Sequence, residues 1–242
     1  MKVAVIIPCF NEQDCIVSVI DDIIANTPKG EDWSIIVVND CSTDGTLKVL
    51  HADGRAIVLD LPCNQGVGAA VQTGFKYAAR NGFDYALKFD GDGQHRADNI
   101  KVLLKPLKDK EADFVIASRF INDDNVGFKS TFLRRAGINF FRIFIKIFSG
   151  FAPTDATSGF RAYNEKALKF ATLHYPNFDY PEPEEIVLMK KNGFKIKEVC
   201  SEMRERQGGV SSINPLKSVY YMIKVAFAIL MVAMRPKEKD ID

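Results

Sequence analysis

Two aspartates one residue apart form the segment of this sequence with the clearest chemical potential. Asp90 and Asp92 lie in FDGDGQH, directly after the apolar run FDYALK. Hard oxygen ligands of this kind suit Mg²⁺ or Mn²⁺, which can also bind phosphate oxygens. Taken alone, Asp-Gly-Asp-Gly is also typical of a turn or of part of a calcium loop. We interpret His95, which closes the segment, as a local hydrogen-bonding residue.

Two further acidic clusters follow apolar runs earlier in the chain. Glu12 lies in PCFNE after VAVII, and Asp40 ends the run IIVVND. A carboxylate at a strand end can accept hydrogen bonds from a base or a ribose, and open α/β sheets bind ligands at that edge. The alternative for Asp40 is a capping role, and Ser42 or Thr43 is expected to cap the next helix. The sequence has no GxGxxG turn, the motif that would indicate a dinucleotide-binding fold.

The elements that must position these residues alternate between apolar runs and helical patterns. Five short runs, VAVIIP, SIIVVND, RAIVLDL, FDYALKFD and DFVIASR, are each bounded by turn residues. Apolar residues at three- and four-residue spacing predict a helix over 16–24, ended by Pro28 and Gly30, and another over 67–78. This order predicts an α/β fold with a mostly parallel central sheet flanked by helices.

The composition fits one catalytic domain without a strong overall charge. The chain has 242 residues, 47% of them hydrophobic, and its 32 basic and 31 acidic residues leave a net charge of +1. No nucleic-acid partner is therefore expected. The five cysteines have neither CxxC nor zinc spacing, so we interpret them as reduced packing residues. The opening run VAVIIP is too short for a signal peptide, which predicts a cytoplasmic location.

Six segments, taken together, resemble those of family 2 glycosyltransferases, and most closely the polyprenyl-phosphate sugar synthase branch, which includes dolichol-phosphate mannose synthases. They are PCFNE at 8–12, NDCSTDGT at 39–46, NQGVGAA at 64–70, DGDGQH at 90–95, SRF at 118–120 and TDATSGFRAY at 154–163. The resemblance covers roughly residues 3–212. It implies a glycosyltransferase A type fold with a Rossmann-like nucleotide-binding half. The catalytic domain would span 1–212, and 213–242 would form an amphipathic or apolar helix and a charged tail.

The resemblance also implies an activity and a set of site residues. The chain would be an inverting, metal-dependent hexosyltransferase that moves a sugar from a UDP- or GDP-sugar to polyprenyl phosphate or a lipid-linked glycan, in cell-envelope polysaccharide synthesis. The residues expected to line the nucleotide site and its adjoining turn are Pro8, Phe10, Glu12, Asp40, Asn64, Gly66, Gly68, Asp90, Gly91 and Asp92. Asp90, Asp92 and Gln94 are expected to surround Mg²⁺ or Mn²⁺.

The acceptor side is expected to use carboxylates or guanidinium groups, depending on the acceptor. A hydroxyl acceptor needs a general base, for which we nominate Asp155, Glu184 and Glu185. The alternative for the two glutamates is a solvated or dipole-favoured first helical turn. A phosphate acceptor needs cations instead. The residues expected to bind it are Arg119, Arg134, Arg135, Ser158, Arg161 and Ser211, and Arg206 joins Asp92 and the nominated bases in the predicted catalytic set.

One departure from the family pattern lies in its RxxGxS segment. Arg206, Gly209 and Ser211 match that segment, but Ser212 stands where the synthases usually carry lysine. The missing cation puts in doubt that the diphosphate contacts are the same.

Two segments predict peripheral contact with a membrane. Residues 126–150 hold five basic residues, six phenylalanines and no acidic residue, which suits a helix on an anionic lipid surface. The alternative is a core helix with a solvated basic stripe. Residues 218–234 are apolar apart from Lys224 but shorter than the roughly 20 residues that span a bilayer. They predict a surface-lying helix or one that packs subunits of a homo-oligomer. A lipid acceptor would place the chain at the inner face of the cell membrane, with shallow insertion or a small membrane-protein partner as anchor.

Two other functions fit the pattern less well. A sugar nucleotidyltransferase should open with a glycine-rich loop bearing arginine, which PCFNE contradicts. A non-catalytic membrane-surface binding protein could keep the same scaffold, but it would need none of the acidic residues at 12, 40, 90 and 92.

Overall fold

A seven-stranded mixed sheet forms the centre of the molecule. The computed structural model describes residues 1–28, 30–121, 132–176, 181–204 and 215–238, with only the backbone described at 132–136, 138 and 215–221. The strands are β1 (Lys2–Cys9), β2 (Asp32–Asn39), β3 (Ile57–Asp60), β4 (Tyr85–Lys88), β5 (Phe114–Ser118), β6 (Arg161–Asn164) and β7 (Ile196–Cys200). Their order is β3-β2-β1-β4-β6-β5-β7. Only β6 runs antiparallel to its neighbours in this sheet, so the expected mostly parallel sheet is confirmed.

Helices cover both faces of the sheet, as the element order predicts. They are α1 (Ile16–Asn26), α2 (Thr46–Asp53), α3 (Val67–Arg80), α4 (Ile100–Lys108), α5 (Phe132–Ser149), α6 (Glu165–His174), α7 (Glu182–Lys191) and α8 (Pro215–Met234). Alternate residues of β1 pack into two separate cores, with Val3, Val5 and Ile7 in one and Ala4 and Ile6 in the other. Because both faces are covered, nearly the whole strand is apolar rather than alternating.

Glycine allows one of these helices to lie unusually close to the sheet. Gly74 in α3 faces β1, and a Cβ at this position would collide with Cγ2 of Ile6. The close approach fixes the position of α3, whose N-terminal turn begins beside the end of β2. A small residue here is therefore a packing requirement.

The cap of α2 differs from the prediction. The N-cap residue is Gly45, which makes no side-chain cap hydrogen bond, and the preceding Asp44 accepts a hydrogen bond from the backbone N–H of Thr46, the first residue of α2, at 2.9 Å. Ser42 instead accepts a hydrogen bond from the backbone N–H of Asn11, also at 2.9 Å. Ser42 therefore ties the loop after β2 to the loop after β1, and the prediction that Ser42 or Thr43 caps the helix is wrong.

The strand directions bring several loops to one edge of the sheet. The carboxyl ends of the parallel strands all point there, and antiparallel β6 begins at the same edge because its first residue pairs with the last residue of β4. The loops that follow β1, β2, β4, β5 and β7 therefore meet the loop that precedes β6. Every segment of the family resemblance described by the structure lies at this edge or begins there.

Candidate active site

The aspartate pair lies in the loop after β4, and neighbouring groups orient both carboxylates. Asp90 Oδ2 lies 2.8 Å from Nε2 of His95. The same carboxylate rests against the backbone of Gly159, where a Cβ would come within 2.5 Å of Oδ2. Asp92 is 8% exposed, and its Oδ1 accepts a hydrogen bond from the backbone N–H of Gln94 at 3.1 Å. The loop thus presents two ordered carboxylates at the sheet edge.

His95 holds Asp90 from a buried position. Its ring lies 4.9 Å from that of Phe160 and 5.4 Å from that of Phe89. Within the part of the chain that the structure describes, Nδ1 of His95 is buried and has no hydrogen-bond partner. The interpretation of His95 as a local hydrogen-bonding residue is confirmed, and its partner is the Asp90 carboxylate.

These two carboxylates fit a divalent cation that is shared with a phosphate ligand. No group of three or more Asp, Glu, His or Cys side chains within the described ranges is arranged to hold a metal ion. Mg²⁺ is usually held by one or two protein carboxylates, with water and substrate phosphates as its remaining ligands, and the donor set of Asp90 and Asp92 has this character. Gln94 lies two residues after Asp92, and its backbone carbonyl accepts a hydrogen bond from the backbone N–H of Arg204 at 2.9 Å.

Asp40 is buried at the end of β2 and organises the turn that starts α3. Its two carboxylate oxygens accept hydrogen bonds from the backbone N–H groups of Gln65, at 2.8 Å, and Gly66, at 2.9 Å. Asn64 donates from Nδ2 to the Asp40 carbonyl at 3.2 Å. Gly66 has a φ of 89°, a conformation that favours glycine. Asp40 therefore holds the turn that precedes α3, although it does not cap the helix, whose N-cap residue Gly66 has no side-chain cap hydrogen bond. Its role toward a ligand stays a prediction.

Contacts between loops hold PCFNE beside the aspartate pair. Cys15 donates from its thiol to Glu12 Oε2 at 3.0 Å and to the carbonyl of Gly91 at 3.3 Å. Burial and the neighbouring Glu12 carboxylate raise the pKa of Cys15 to about 12, so the thiol is a neutral donor. A Cβ on Gly91 would lie 3.4 Å from the carbonyl oxygen of Pro8. Phe10 stays 44% exposed at the same edge.

Arg119 and Asp155, both predicted to act on the acceptor, form a two-point ion pair. Nε of Arg119 lies 2.5 Å from Oδ2 of Asp155, and a second guanidinium nitrogen lies 2.7 Å from Oδ1. Burial would raise the pKa of Asp155, but the charge and hydrogen bonds of Arg119 hold it below its usual range. A fully buried carboxylate of lowered pKa is a weak base, so the ion pair argues for a role of Asp155 in holding Arg119, and its general-base role stays a prediction.

Arg161 and Glu185 form a second ion pair, which is enclosed completely. One guanidinium nitrogen of Arg161 lies 2.6 Å from Oε2 of Glu185, and the exposed fractions of the two side chains are 0% and 1%. The hydroxyl of Tyr163 donates to Oε1 of Glu185 at 2.8 Å. Because both side chains are closed off from solvent, this arrangement argues for a structural role of the pair. The acceptor-binding role of Arg161 and the general-base role of Glu185 stay predictions.

The remaining acceptor-side predictions have mixed outcomes. Glu184 and Glu185 lie in the first turn of α7, the dipole-favoured position, but they are 2% and 1% exposed, so the solvated form of that alternative is wrong. Ser158 is buried, and its backbone carbonyl accepts a hydrogen bond from Nε of Arg161 at 2.9 Å. The side chains of Arg134 and Arg135, and the whole of Arg206, Gly209, Ser211 and Ser212, lie outside the described residues.

Several residues beneath the site were missed from the sequence. Lys88, the last residue of β4, is buried and forms an ion pair with Glu182 at the start of α7. Glu198 in β7 accepts hydrogen bonds from the backbone N–H groups of Thr154, at 2.8 Å, and Asp155, at 3.0 Å. Lys88 could have been noticed in the sequence as a lysine at the end of an apolar run. Its partner Glu182 could have been noticed because it lies one helical turn before Glu185 in PEPEE.

Comparisons with known proteins show which sequences this chain is similar to. The model of the family described as "Glycosyl transferase family 2" matches residues 4–170. A UDP-N-acetylglucosamine–dolichyl-phosphate N-acetylglucosaminyltransferase of Methanococcus voltae is 31% identical over 80% of this chain and 82% of its own length. A polyprenol monophosphomannose synthase of Mycolicibacterium smegmatis is 28% identical over 93% of this chain and 86% of its own length.

A crystal structure shows that the fold is also shared. Glucosyl-3-phosphoglycerate synthase from Mycobacterium tuberculosis, in complex with Mn²⁺, UDP and phosphoglyceric acid, superposes with a TM-score of 0.69 at 18% identity. The match covers 98% of this chain and 80% of the other. The expected glycosyltransferase A type fold is thereby confirmed.

Proposed function

The chain belongs to glycosyl transferase family 2 and is a glycosyltransferase, and we propose that it transfers one sugar from a nucleotide sugar to a polyprenyl phosphate. One observation carries this proposal: Asp90 and Asp92, the Asp40 turn and the Arg119–Asp155 pair all lie along the same edge of the sheet. The names of the relatives from Methanococcus and Mycolicibacterium, which specify dolichyl phosphate and polyprenol, support the acceptor class.

Asp90 and Asp92 would hold the divalent metal, with Gln94 as the third proposed ligand. When bound, Mg²⁺ or Mn²⁺ supplies positive charge against the departing nucleoside diphosphate. The chain prepares for this by ordering both carboxylates, through His95 and Gly159 at Asp90 and through the Gln94 N–H at Asp92. The Mn²⁺ and UDP in the structurally similar synthase support a metal and a nucleotide of these kinds.

The nucleotide would lie between the loops after β1 and β2. The Asp40 carboxylate is fixed by the Gln65 and Gly66 N–H groups, so an oxygen with a remaining lone pair can accept a hydrogen bond from a base or a ribose. The exposed ring of Phe10 offers an apolar surface beside it. Pro8 and Glu12 complete the proposed lining. UDP and GDP both fit this description.

A phosphate acceptor agrees with the pairing of the buried carboxylates to arginines. A phosphate monoester has a second pKa of about 6, so its attacking oxygen is already ionised at neutral pH and needs no general base. The structure pairs two of the three nominated bases, Asp155 and Glu185, with arginines. Arg119, held in a fixed orientation by Asp155, would bind the acceptor phosphate. The attack would invert the configuration of the sugar, as the family resemblance implies.

The reaction would take place at the cytosolic face of a membrane, where a polyprenyl phosphate presents its head group. None of the five cysteines, Cys9, Cys15, Cys41, Cys63 and Cys200, forms a disulfide, which agrees with a reducing compartment. Cys63 is exposed, so the interpretation of every cysteine as a packing residue is wrong for this one. None of the helices that the structure describes is long and apolar enough to count as a bilayer span.

Titration calorimetry with UDP and GDP, with and without Mn²⁺, tests the donor side. We expect one nucleotide to bind in a metal-dependent manner and the Asp92→Asn variant to lose that binding while keeping its melting temperature. Asp98→Asn is the matched control, because Asp98 is exposed and pairs with Arg96 on the surface. If neither nucleotide binds at millimolar concentration, or if Asp92→Asn binds as the unaltered chain does, the assignment fails.

Turnover assays then decide the acceptor. A panel of nucleotide sugars should be offered with a short-chain polyprenyl phosphate, with a lipid-linked glycan, and with neither. Transfer to the phosphate is the expected result. Transfer to the glycan alone would leave the metal and nucleotide assignments in place but refute the acceptor.

A further inference from the structure

A small polar cavity lies behind the loop that carries the aspartate pair. Three parts of the chain form its wall: α1 contributes Ser18 and Asp22, the loop after β4 contributes Gly93 and His95, and the segment after β7 contributes Arg204. Its volume of about 10 Å³ is close to that of one water-sized sphere. The cavity is therefore too small for an organic ligand but large enough for a single water molecule.

One buried nitrogen on this wall lacks a hydrogen-bond partner. His95 is only 2% exposed, and within the described residues no protein group bonds to its Nδ1. Buried polar atoms in folded proteins almost always have a partner, which is either a protein group or an ordered water. Asp90 holds the Nε2 side of the ring and is not part of the cavity wall.

The other ring nitrogen determines which tautomer His95 must adopt. Nε2 lies 2.8 Å from Oδ2 of Asp90, and an ionised carboxylate only accepts hydrogen bonds, so the proton belongs on Nε2. In the neutral ring Nδ1 is then an acceptor, which needs a donor. The rings of Phe89 and Phe160 fix the plane of the imidazole but cannot distinguish its two nitrogens. A donor at Nδ1 would therefore stabilise the orientation that holds Asp90.

The polar groups on the cavity wall match what a water molecule needs. A buried water usually forms about three hydrogen bonds. The carboxylate of Asp22 only accepts and the guanidinium of Arg204 only donates. A water that donates to Nδ1 of His95 and to Asp22, and accepts from Arg204, uses both of its hydrogens and one lone pair. Ser18 is not needed as a partner, because its hydroxyl already donates to the carbonyl of Cys15 at 2.8 Å.

The same two charged residues also hold the backbone of the loop. The backbone N–H of Arg204 donates to the carbonyl of Gln94 at 2.9 Å. Oδ2 of Asp22 accepts hydrogen bonds from the Arg204 guanidinium at 3.2 Å and from the backbone N–H of Ala97 at 3.3 Å. The main chain on either side of His95 is thus fixed, and what the cavity decides is the state of the imidazole itself.

We infer that this cavity binds one water molecule, which donates a hydrogen bond to Nδ1 of His95 and thereby keeps Asp90 in position for the metal. Asp22 and Arg204 are then positioning residues, because they hold the water and do not touch the reacting groups. The water and the tautomer do not depend on any ligand. Only their effect on the metal rests on the proposed function.

¹⁵N NMR of the imidazoles tests the tautomer without metal or nucleotide. The chain has three histidines, and replacing His51 and His174 with glutamine leaves His95 as the only one. At a pH where the ring is neutral, we expect the signals of a protonated Nε2 and of an unprotonated, hydrogen-bonded Nδ1. A crystal structure of the unaltered chain should show one water within hydrogen-bond distance of Nδ1. A proton on Nδ1, or no water there in a structure that shows other buried waters, would overturn the inference.

A variant that fills the cavity tests the effect on the metal. Ser18→Val adds a methyl group where the water lies, whereas the control Ser18→Ala leaves room for it, and both lose the same hydroxyl. In the valine variant the Nδ1 signal should move toward that of an unbonded nitrogen. Mn²⁺-dependent nucleotide binding should weaken by about three- to ten-fold, which is less than the loss of a direct contact with a metal ligand produces. The alanine variant should keep both properties.

A second variant removes the donor to the water from another element. Arg204→Met keeps the backbone hydrogen bond to Gln94 but lacks the guanidinium, so the same two changes are expected. Glu202→Gln is its matched control, because it alters the neighbouring surface pair with Arg96 and does not border the cavity. An Nδ1 signal that neither Ser18→Val nor Arg204→Met changes would contradict the inference. Loss of all nucleotide binding in the unaltered chain would refute the transferase proposal instead, and the NMR result would still decide the water site.

Discussion

Replacing Arg161 with methionine would separate a structural role for this arginine from contact with the acceptor. Methionine keeps much of the length and apolar volume of the side chain but removes the guanidinium. Glu185 would then remain buried without the cation 2.6 Å away, and the Ser158 carbonyl would lose its donor at 2.9 Å. Both groups are sealed from water in the native fold, so neither can be solvated in compensation.

The expected loss of unfolding free energy is large. Removing one partner of a buried ion pair costs about 3–5 kcal/mol, because the other charge is left uncompensated. Lys88 and the Tyr163 hydroxyl still stabilise the Glu185 carboxylate, so we expect the loss to fall within this range rather than above it. A domain with a total stability of about 5–15 kcal/mol would remain folded at low temperature but unfold readily.

The loss should also depend on pH in a predictable direction. Burial raises the pKa of Glu185 above its usual range, although Arg161 and Lys88 oppose this, and removal of Arg161 should raise it further. A carboxyl whose pKa is higher in the folded state stabilises the fold below its unfolded pKa, and that stability is lost as the pH rises through the folded value. The deficit of Arg161→Met should therefore be smaller at pH 5 than at pH 8.

Urea unfolding at both pH values measures these effects. Arg55→Met is the matched control, because Arg55 pairs with Asp21 and Asp53 on the surface and its loss should change little. Glu185→Gln combined with Arg161→Met should recover part of the stability by removing the stranded charge. The reasoning would be refuted by an Arg161→Met protein that is stable to within about 1 kcal/mol and fails only with the acceptor.

Three further changes test other parts of the site. Asp155→Asn should flatten the acid side of the stability profile in urea unfolding below about pH 4, because the pKa of Asp155 is lowered by Arg119 and its stabilisation is lost as the pH falls through the folded value. An unchanged profile would contradict this. Gly159→Ala should weaken Mn²⁺ binding by about ten-fold or more in calorimetry, because the new methyl group displaces the Asp90 carboxylate. Gly137→Ala on α5, with its nearest contact at 4.0 Å, should bind Mn²⁺ normally. Gly74→Ala should lower the unfolding free energy by about 1–3 kcal/mol through overpacking against β1, and a neutral result would show that α3 can move away.

The sequence alone was sufficient to predict those strands and helices that depend on the local pattern of apolar residues. Five apolar runs became β1 to β5, and the helical spacing over 16–24 became α1. Strands β6 and β7 were not predicted, because RAYN and IKEVC are short and carry charged residues that hide an apolar alternation. Their neighbours in the sheet stabilise them, and that information is not local.

The aspartate pair was identifiable before any coordinates, because its residue types and its place after a buried strand are both readable in the chain. The residues that hold the two carboxylates in place could not be identified in this way. Gly159 lies 69 positions beyond Asp90, and only the antiparallel direction of β6 brings its loop to the edge where β4 ends.

Partner choice among the charged residues was decided by the tertiary structure. Arg119, Arg161, Asp155 and Glu185 all looked like site groups, since the sequence shows their charges but not their burial. In the folded chain Arg161 pairs with Glu185, 24 positions away in the sequence, and Lys88 pairs with Glu182, 94 positions away. A buried charge must find an opposite one wherever the fold places it, so the identity of each partner depends on packing across the sheet rather than on spacing along the chain.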